Sequence, residues 1–358
     1  MYEPLTIRSH RGDYSVRFVE QTLPVLQESL CERDVMILDK NVAGLYPELA
    51  GFAQKRRNHL IAPYEEAKTY QALTPLLESL IAGGFTKTDR LVAVGGGIVQ
   101  DITAFTASIL FRGVPWLFFP TNLLSQCDSC IGSKTSINFG AYKNLLGGFY
   151  PPREIYVAPS MLATLADQEI RSGLGEMMHY FCVASRADWE WAQPLMAAAV
   201  KQREGLPELI YRSLSIKKAM VERDEFDQGP RNVFNYGHSF GHALESATDF
   251  AVPHGIAVGF GMDLANLLSA RQKLIPMALR NELRASYALV WQDTDFKELN
   301  FARYFDALCK DKKNEGTQIK VILTRGLGQM FKTTLSLDQD TRHFIQDYFQ
   351  KKRWKTPL

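Results

Sequence analysis

The sequence predicts an α/β + α chain: a parallel sheet with helices on both sides over residues 1–160, then a mostly helical part over 161–358. Three observations carry this. Short apolar runs alternate with helical patterns as far as Val157, as repeated βα units do when a parallel sheet is covered on both faces. Beyond Ser160 the apolar residues recur at helical spacing. At 358 residues, the chain is long enough for two hydrophobic cores.

Taken in order, Leu5 to Ile7 and Tyr14 to Phe18 flank His10-Arg-Gly-Asp13 and read as a β-hairpin. A helix from about Thr22 to Leu30 leads to the apolar strand Asp34-Val-Met-Ile-Leu-Asp39, which ends in an acid. A helix over Pro47 to Lys55, a strand at His59 to Ala62 and a helix over Glu66 to Ala82 continue the alternation. Arg90 to Val94 then runs into Gly95-Gly-Gly97 and an apolar helix through Leu110. Pro115 to Phe119 and Glu154 to Val157 complete the strands. Helices follow over Asp167–Arg186, Trp189–Arg203, Leu206–Arg223, Arg231–Thr248, Gly255–Gln272, Pro276–Tyr287 and Phe301–Cys309, with a strand pair near Ile319–Leu323 and Met330–Thr334. A helix over Asp340–Phe349 closes the chain.

Charge is nearly balanced, 41 basic against 39 acidic residues, so nothing calls for nucleic acid or a membrane surface as partner. The basic run Gln350 to Lys355 reads as a solvated tail. No apolar run approaches the ~20 residues of a membrane-spanning helix, and Met1-Tyr-Glu-Pro-Leu5 lacks a secretory pattern; a cytoplasmic protein is expected. Cys31, Cys127, Cys130, Cys182 and Cys309 are an odd, scattered set that fits reduced thiols. Cys127 and Cys130 form one Cys-x-x-Cys with no second pair, which is weak support for a redox or zinc site.

Chemistry concentrates in Arg231-Asn-Val-Phe-Asn-Tyr-Gly-His-Ser-Phe-Gly-His242, followed by Pro253-His254-Gly255. If Arg231 to Ala247 is one helix, then Arg231, Asn235, His238 and His242 share a stripe with a period of about 3.6 residues. Such a stripe is too polar for a core, where each unpartnered polar group costs about 1–3 kcal/mol. Any one histidine alone could be structural; three beside Arg and Asn outweigh that reading. His254 stands where the next helix would begin. Two imidazoles on different helices need a third ligand to hold a catalytic metal. Glu176, a carboxylate on an apolar helix, is the candidate, because a divalent ion would offset its burial. Gly95, Gly96 and Gly97 between strand and helix are the parts of a phosphate-binding turn, and equally those of a plain tight turn.

The segments Phe111-Arg-Gly113, Pro120-Thr-Asn-Leu-Leu124, Asp128-Ser-Cys-Ile-Gly-Ser-Lys134 and Lys143-Asn144 place one acid and several cations on loops, as a phosphorylated polyol would require. With Gly95-Gly-Gly97 and the Gly-His-x-x-Gly-His motif, they resemble the sugar phosphate cyclases, most of all the 3-dehydroquinate synthase branch, across nearly the whole chain. The resemblance implies a Rossmann-like N-terminal NAD domain and a helical domain for metal and substrate. It implies Glu176, His238 and His254 as ligands of Zn2+ or Co2+. Positions matching NAD contacts are Asp39, Asn41, Glu65, Lys68, Gly95, Gly96, Gly97, Asp101, Thr121, Asn122, Lys143, Thr164 and Glu169, with Asp128 and Lys134 shared with the substrate. Substrate and catalytic positions are Arg112, Asp128, Lys134, Asn144, His179, Lys217, Arg231, Asn235, His242 and a lysine at Lys312 or Lys313. A homodimer is implied, Arg112 reaching the neighbouring site.

The implied reaction is cyclisation of a phosphorylated ketose acid, 3-deoxy-arabino-heptulosonate 7-phosphate, through hydride removal to NAD, β-elimination of phosphate, hydride return and intramolecular aldol closure. Lys217, Arg231 and Asn235 match the residues that engage the substrate carboxylate. The sequence departs from the pattern at His179, where Lys is usual, and at Gln100, Asn122, Ser133 and Ile256, where Gly, Thr, Gly and Glu are usual. The alternative is a cyclase for another sugar phosphate, sedoheptulose 7-phosphate or glucose 6-phosphate. Further off stand a metal-dependent polyol dehydrogenase, which would release NADH, and a non-catalytic sugar-phosphate sensor.

Overall fold

The apolar runs of the N-terminal half become one seven-stranded sheet. Its strands are β1 (Leu5–Ile7), β2 (Tyr14–Phe18), β3 (Val35–Asp39), β4 (Asn58–Ile61), β5 (Leu91–Gly95), β6 (Trp116–Pro120) and, after a separate hairpin of β7 (Lys134–Phe139) and β8 (Tyr142–Phe149), β9 (Glu154–Val157). The order across the sheet is β1-β2-β9-β6-β5-β3-β4, antiparallel between β1 and β2 and parallel elsewhere. Every residue of β3, β5 and β6 is buried, as parallel strands covered on both faces require. This is a computed structural model, which describes residues 2–140, 142–291, 294, 296, 299–309 and 318–355.

Two units divide the chain: Met1–Leu165 with Lys217–Phe226, and Ala166–Ile216 with Asp227–Leu358. In the first, α1 (Thr22–Ser29), α2 (Lys40–Leu45) and α3 (Pro47–Gln54) send Leu26, Val42 and Leu49 onto Met36, Leu38, Val92, Val94, Leu117 and Phe119. Ile37, Ala93 and Phe118 point to the other face by the two-residue period of a strand. Helix α4 (Tyr70–Ala82) starts where the Thr69 hydroxyl accepts from Ala72 N, and α5 (Gly97–Ile109) packs against β3, β5 and β6. The paired registers Leu38 with Val94 and Gly95 with Pro120 bring Asp39, Gly95 and Thr121 to one carboxyl edge of the sheet.

The second unit contains α6 (Asp167–Ala184), α7 (Arg186–Gln202), α8 (Leu206–Val221) up to Ile216, α9 (His238–Ala247), α10 (His254–Arg271), α11 (Met277–Trp291), α12 (Phe301–Cys309), the antiparallel pair β10 (Gln318–Thr324) and β11 (Met330–Ser336), and α13 (Gln339–Gln350). Helix α10 is buried without interruption from Gly255 to Ser269, the mark of a helix surrounded on all sides. Helices α6, α9 and α11 pack around it.

The fold class is as the sequence predicts, and three local expectations are corrected. The single helix expected over Arg231 to Ala247 is a 3-10 turn at Pro230–Asn235 followed by α9. The break falls at Gly237, whose φ of 82° is left-handed; a Cβ there would lie 2.6 Å from Met262 Cγ and 2.7 Å from Val258 O. Lys134, Lys143 and Asn144 lie on the β7–β8 hairpin, not on loops. The helix expected from Glu66 begins only at Tyr70, after a 3-10 turn at Glu65–Ala67.

Candidate active site

Two glycines decide how closely α6 and α10 cross. A Cβ on Gly255 would sit 1.7 Å from Ser172 O, and one on Gly175 would sit 2.2 Å from Gly255 O. Backbone therefore meets backbone, Gly255 N donating to Ser172 Oγ at 3.1 Å, and the residues beside the crossing, Glu176 and His254, are drawn together. Gly255→Ala is expected to cost about 1–3 kcal/mol, the scale of overpacking, and to weaken metal binding. An unchanged denaturation midpoint would contradict this account of the crossing.

His238 opens α9 and His254 opens α10, and both aim Nε2 at the Glu176 carboxylate. His238 Nε2 is 3.4 Å from Oε1 and His254 Nε2 is 3.4 Å from Oε2. These separations are long for charge-assisted hydrogen bonds. They leave room for an ion among the three side chains, whose donor atoms lie within 4.8 Å of one another. Glu176 is buried, and its Oε2 has no hydrogen-bond partner. Burial alone would raise the Glu176 pKa; His238, His179 and His254 outweigh it and hold the carboxylate well below its ordinary value. Burial likewise disfavours charge on His254, but Glu176 and Glu245 raise its pKa well above the usual imidazole range. This carboxylate thus demands cationic charge, and the donor set fits a divalent ion, which would take the place of the proton.

Around this group, His179 is buried on α6 with Nδ1 3.5 Å from Glu176 Oε1, its ring edge-on to Phe234 and His238. His242, one turn after His238, stacks its ring on His254 at 5.5 Å. Arg231 is buried in the 3-10 turn before α9, and Asn235 Nδ2 donates to Asn232 O at 3.1 Å. Glu169 is exposed in the first turn of α6. Lys312 and Lys313 lie outside the described residues.

In the first unit, Asp39 Oδ1 caps α2, accepting from Asn41 N at 2.8 Å and Val42 N at 3.2 Å. Burial raises its pKa against these bonds. Helix α5 begins after Gly96 with no side-chain cap, which leaves its first N–H groups available to an anion. Lys68 is buried, with Nζ 2.6 Å from Asp101 and 2.9 Å from Asn144 Oδ1. Glu65 joins them, accepting from Asn138 Nδ2 at 2.8 Å and lying 3.9 Å from Lys143 Nζ. Thr164 Oγ1 pairs with Tyr46 OH at 3.0 Å. Thr121 is buried at the end of β6. Lys217 Nζ donates to both the carbonyl and Oδ1 of Asp128, each at 2.6 Å. Lys134 is exposed on β7, and Arg112 is exposed in a left-handed kink after α5, with φ of 63°.

A surface cavity of about 1120 Å³ elsewhere on this unit is lined by Arg33, Phe52, Lys55, Arg56 and Arg57. Arg33, Arg56 and Arg57 are already bound to Asp89 or to main-chain carbonyls, and none of the site residues lines it.

Residues 58–172 match the 3-dehydroquinate synthase N-terminal family and residues 173–314 the C-terminal family. A 3-dehydroquinate synthase of Streptococcus pyogenes is 33% identical over 357 residues, covering 97% of this chain and 98% of the relative. The chain belongs to the 3-dehydroquinate synthase family. It is accordingly an enzyme of the phosphate-eliminating cyclase type. Two solved cyclases share the fold. A 2-deoxy-scyllo-inosose synthase complexed with carbaglucose-6-phosphate, NAD+ and Co2+ superposes with a TM-score of 0.85 at 25% identity, over 98% of this chain and all of its own. A 2-epi-5-epi-valiolone synthase from Streptomyces hygroscopicus with NAD+ and Zn2+ bound gives 0.83 at 25% identity, over 95% of this chain and 97% of its own.

Three departures from the usual pattern of the 3-dehydroquinate synthase family have local partners. Gln100 exchanges two hydrogen bonds with Ser129, each 2.6 Å. Asn122 accepts from Ser125 N and Oγ. Ser133 takes the left-handed backbone that glycine favours, φ 65°, and donates to Glu225 at 2.6 Å. Ile256 is buried on α10. Sequence reasoning overlooked Glu245, whose carboxylate meets His254. Its signal was available: Glu245 is seven residues after His238 and three after His242, on the same face of α9.

Proposed function

We propose that this enzyme is a 3-dehydroquinate synthase, forming a carbocycle from 3-deoxy-arabino-heptulosonate 7-phosphate with loss of phosphate. The observation that carries this is the buried Glu176 carboxylate facing His238 and His254 at 3.4 Å, with one oxygen lacking a hydrogen bond. When bound, NAD would supply reversible hydride acceptance, and Zn2+ or Co2+ a Lewis acid for the oxygen on the carbon being oxidised. Glu176, His238 and His254 would hold the metal. Asp39, Gly95 to Gly97, Thr121 and Asn122, around the carboxyl edge of the sheet, would hold NAD, joined by Asn41, Glu65, Lys68, Asp101, Lys143, Thr164 and Glu169. Lys134 and Asn144, with His242, would bind the phosphate, and His242 would help move the proton lost during elimination. Lys217, now paired with Asp128, and buried Arg231 with Asn235 would take the substrate carboxylate.

We further place the enzyme in the cytoplasm as a homodimer. Among the described residues, no helix is long and apolar enough to cross a membrane. Exposed Ile109 and Phe111 beside Arg112 offer an apolar patch that a second copy would cover. His179, buried against Glu176 where Lys is usual, favours as a second reading a cyclase for sedoheptulose 7-phosphate or glucose 6-phosphate.

One assay separates the readings. Incubated with NAD, a divalent metal and a panel of these three sugar phosphates, the enzyme should release phosphate from the heptulosonate without net NADH and yield a carbocyclic product by mass and NMR. Stoichiometric NADH would point to a polyol dehydrogenase, and turnover of only another sugar phosphate to the second reading.

A further inference from the structure

We infer that Glu245 is a positioning residue for the metal centre, its carboxylate fixing which nitrogen of His254 faces the metal. This rests on the metal triad of the proposed function. An imidazole has two nitrogens, and a metal ligand uses one while the other is free to turn the ring away unless something holds it. In His254 both are committed: Nε2 lies 3.4 Å from Glu176 Oε2, and Nδ1 lies 3.1 Å from Glu245 Oε2. A carboxylate can only accept, so Nδ1 donates its hydrogen to Glu245, and Nε2, on the Glu176 side, is the nitrogen that would give its lone pair to an ion held between them.

His238 is held differently. Its Nδ1 pairs with Tyr236 O, a neutral main-chain carbonyl, at 3.3 Å. Only His254 is backed by a charge among these two, and a carboxylate behind an imidazole makes the ligating nitrogen more basic. Helix α9 therefore contributes twice: His238 from its first turn and, two turns on, the acid that orients a ligand belonging to α10. The same carboxylate also stands within 4.8 Å of His242 and His254 ligand atoms, so the competing possibility is a second metal held by His242, Glu245 and His254.

The test uses the full chain loaded with Co2+. Wild type, Glu245→Ala, Glu245→Gln and His238→Ala are compared by competition against a chromophoric chelator, by the visible Co2+ spectrum, by metal content and by unfolding of the metal-free proteins. Glu245→Ala should weaken Co2+ binding about 10–100-fold, the usual effect of removing such a partner, and shift the spectrum. Glu245→Gln, whose amide oxygen can still accept from Nδ1, should lose less. The metal-free Glu245 variants should stay cooperatively folded, and their loss of Co2+ binding should exceed what the lost His254–Glu245 contact costs the metal-free fold, which a merely structural role would not give. Binding within about twofold of wild type with an unchanged spectrum in Glu245→Ala, or a second Co2+ per wild-type chain, would overturn the inference. If wild type binds no metal, or His238→Ala keeps it, the triad itself fails.

Discussion

His238→Ala should leave the protein folded and without its metal, and kcat/KM should fall by at least about a thousandfold. The first half follows from geometry. His238 is one of three residues whose donor atoms lie within 4.8 Å of one another, and a three-ligand catalytic site has no spare donor to lose. The second follows from what a Lewis acid contributes, several kcal/mol at the developing charge, each 1.36 kcal/mol being about tenfold in rate. Chelation of the wild type should have the same result, and added Zn2+ or Co2+ should reverse it, whereas His238→Ala should not recover. Metal content unchanged in the variant would sink the assignment of this residue.

Arg280→Met should destabilise the second unit by about 3–5 kcal/mol, the cost of removing one partner of a buried ion pair. Arg280 and Asp263 are both fully buried, with Arg280 Nη2 2.6 Å from Asp263 Oδ2. Tyr348 OH donates to the same oxygen at 2.9 Å, and Arg280 also donates to Arg353 O. Removing the guanidinium strands a carboxylate in an apolar helix bundle. Burial already raises the Asp263 pKa against the pull of Arg280. An acid whose folded pKa is raised costs nothing below its unfolded pKa and costs progressively more as pH climbs through the folded value. The loss in Arg280→Met should therefore shrink toward acid pH. Denaturant titrations showing less than about 1 kcal/mol of loss at neutral pH would refute this, since exposed pairs are worth that little.

How far the sequence reveals these features depends on whether the cause is local. Val35 to Asp39 and Leu91 to Gly95 announce buried parallel strands because burial on both faces leaves no polar position. His238, His242 and His254 are visible because clustered imidazoles are expensive to bury unused. The break at Gly237 is not visible, since Gly within a helical pattern is tolerated; only the approach of Met262 and Val258 makes the left-handed turn necessary. The β7–β8 hairpin is obscured by Gly147 and Gly148 and by a register shift between Ile137 and Phe139, which blur the alternation expected of strands. Arg280 and Asp263 are 17 residues apart on different helices, and no periodicity within either helix pairs them.

Lys217 to Phe226 belongs to the unit formed by Met1 to Leu165, and this orders events on the ribosome. Asp128 waits for Lys217, 89 residues later. Ser9, His10 and Ser133 wait for Glu225, which accepts from all three, at a separation of 216 residues for Ser9. A nascent chain that has reached Leu165 can pair β1 to β6 and β9, but the bonds from Lys217 to Asp128 and from Ser9 and His10 to Glu225 are still to come. Although domains generally fold as they emerge, N-terminal first, this sheet domain gains the bonds to Glu225 only after all of α8 has been synthesised, so a stall between 165 and 216 would leave the contacts of both Lys217 and Glu225 unmade.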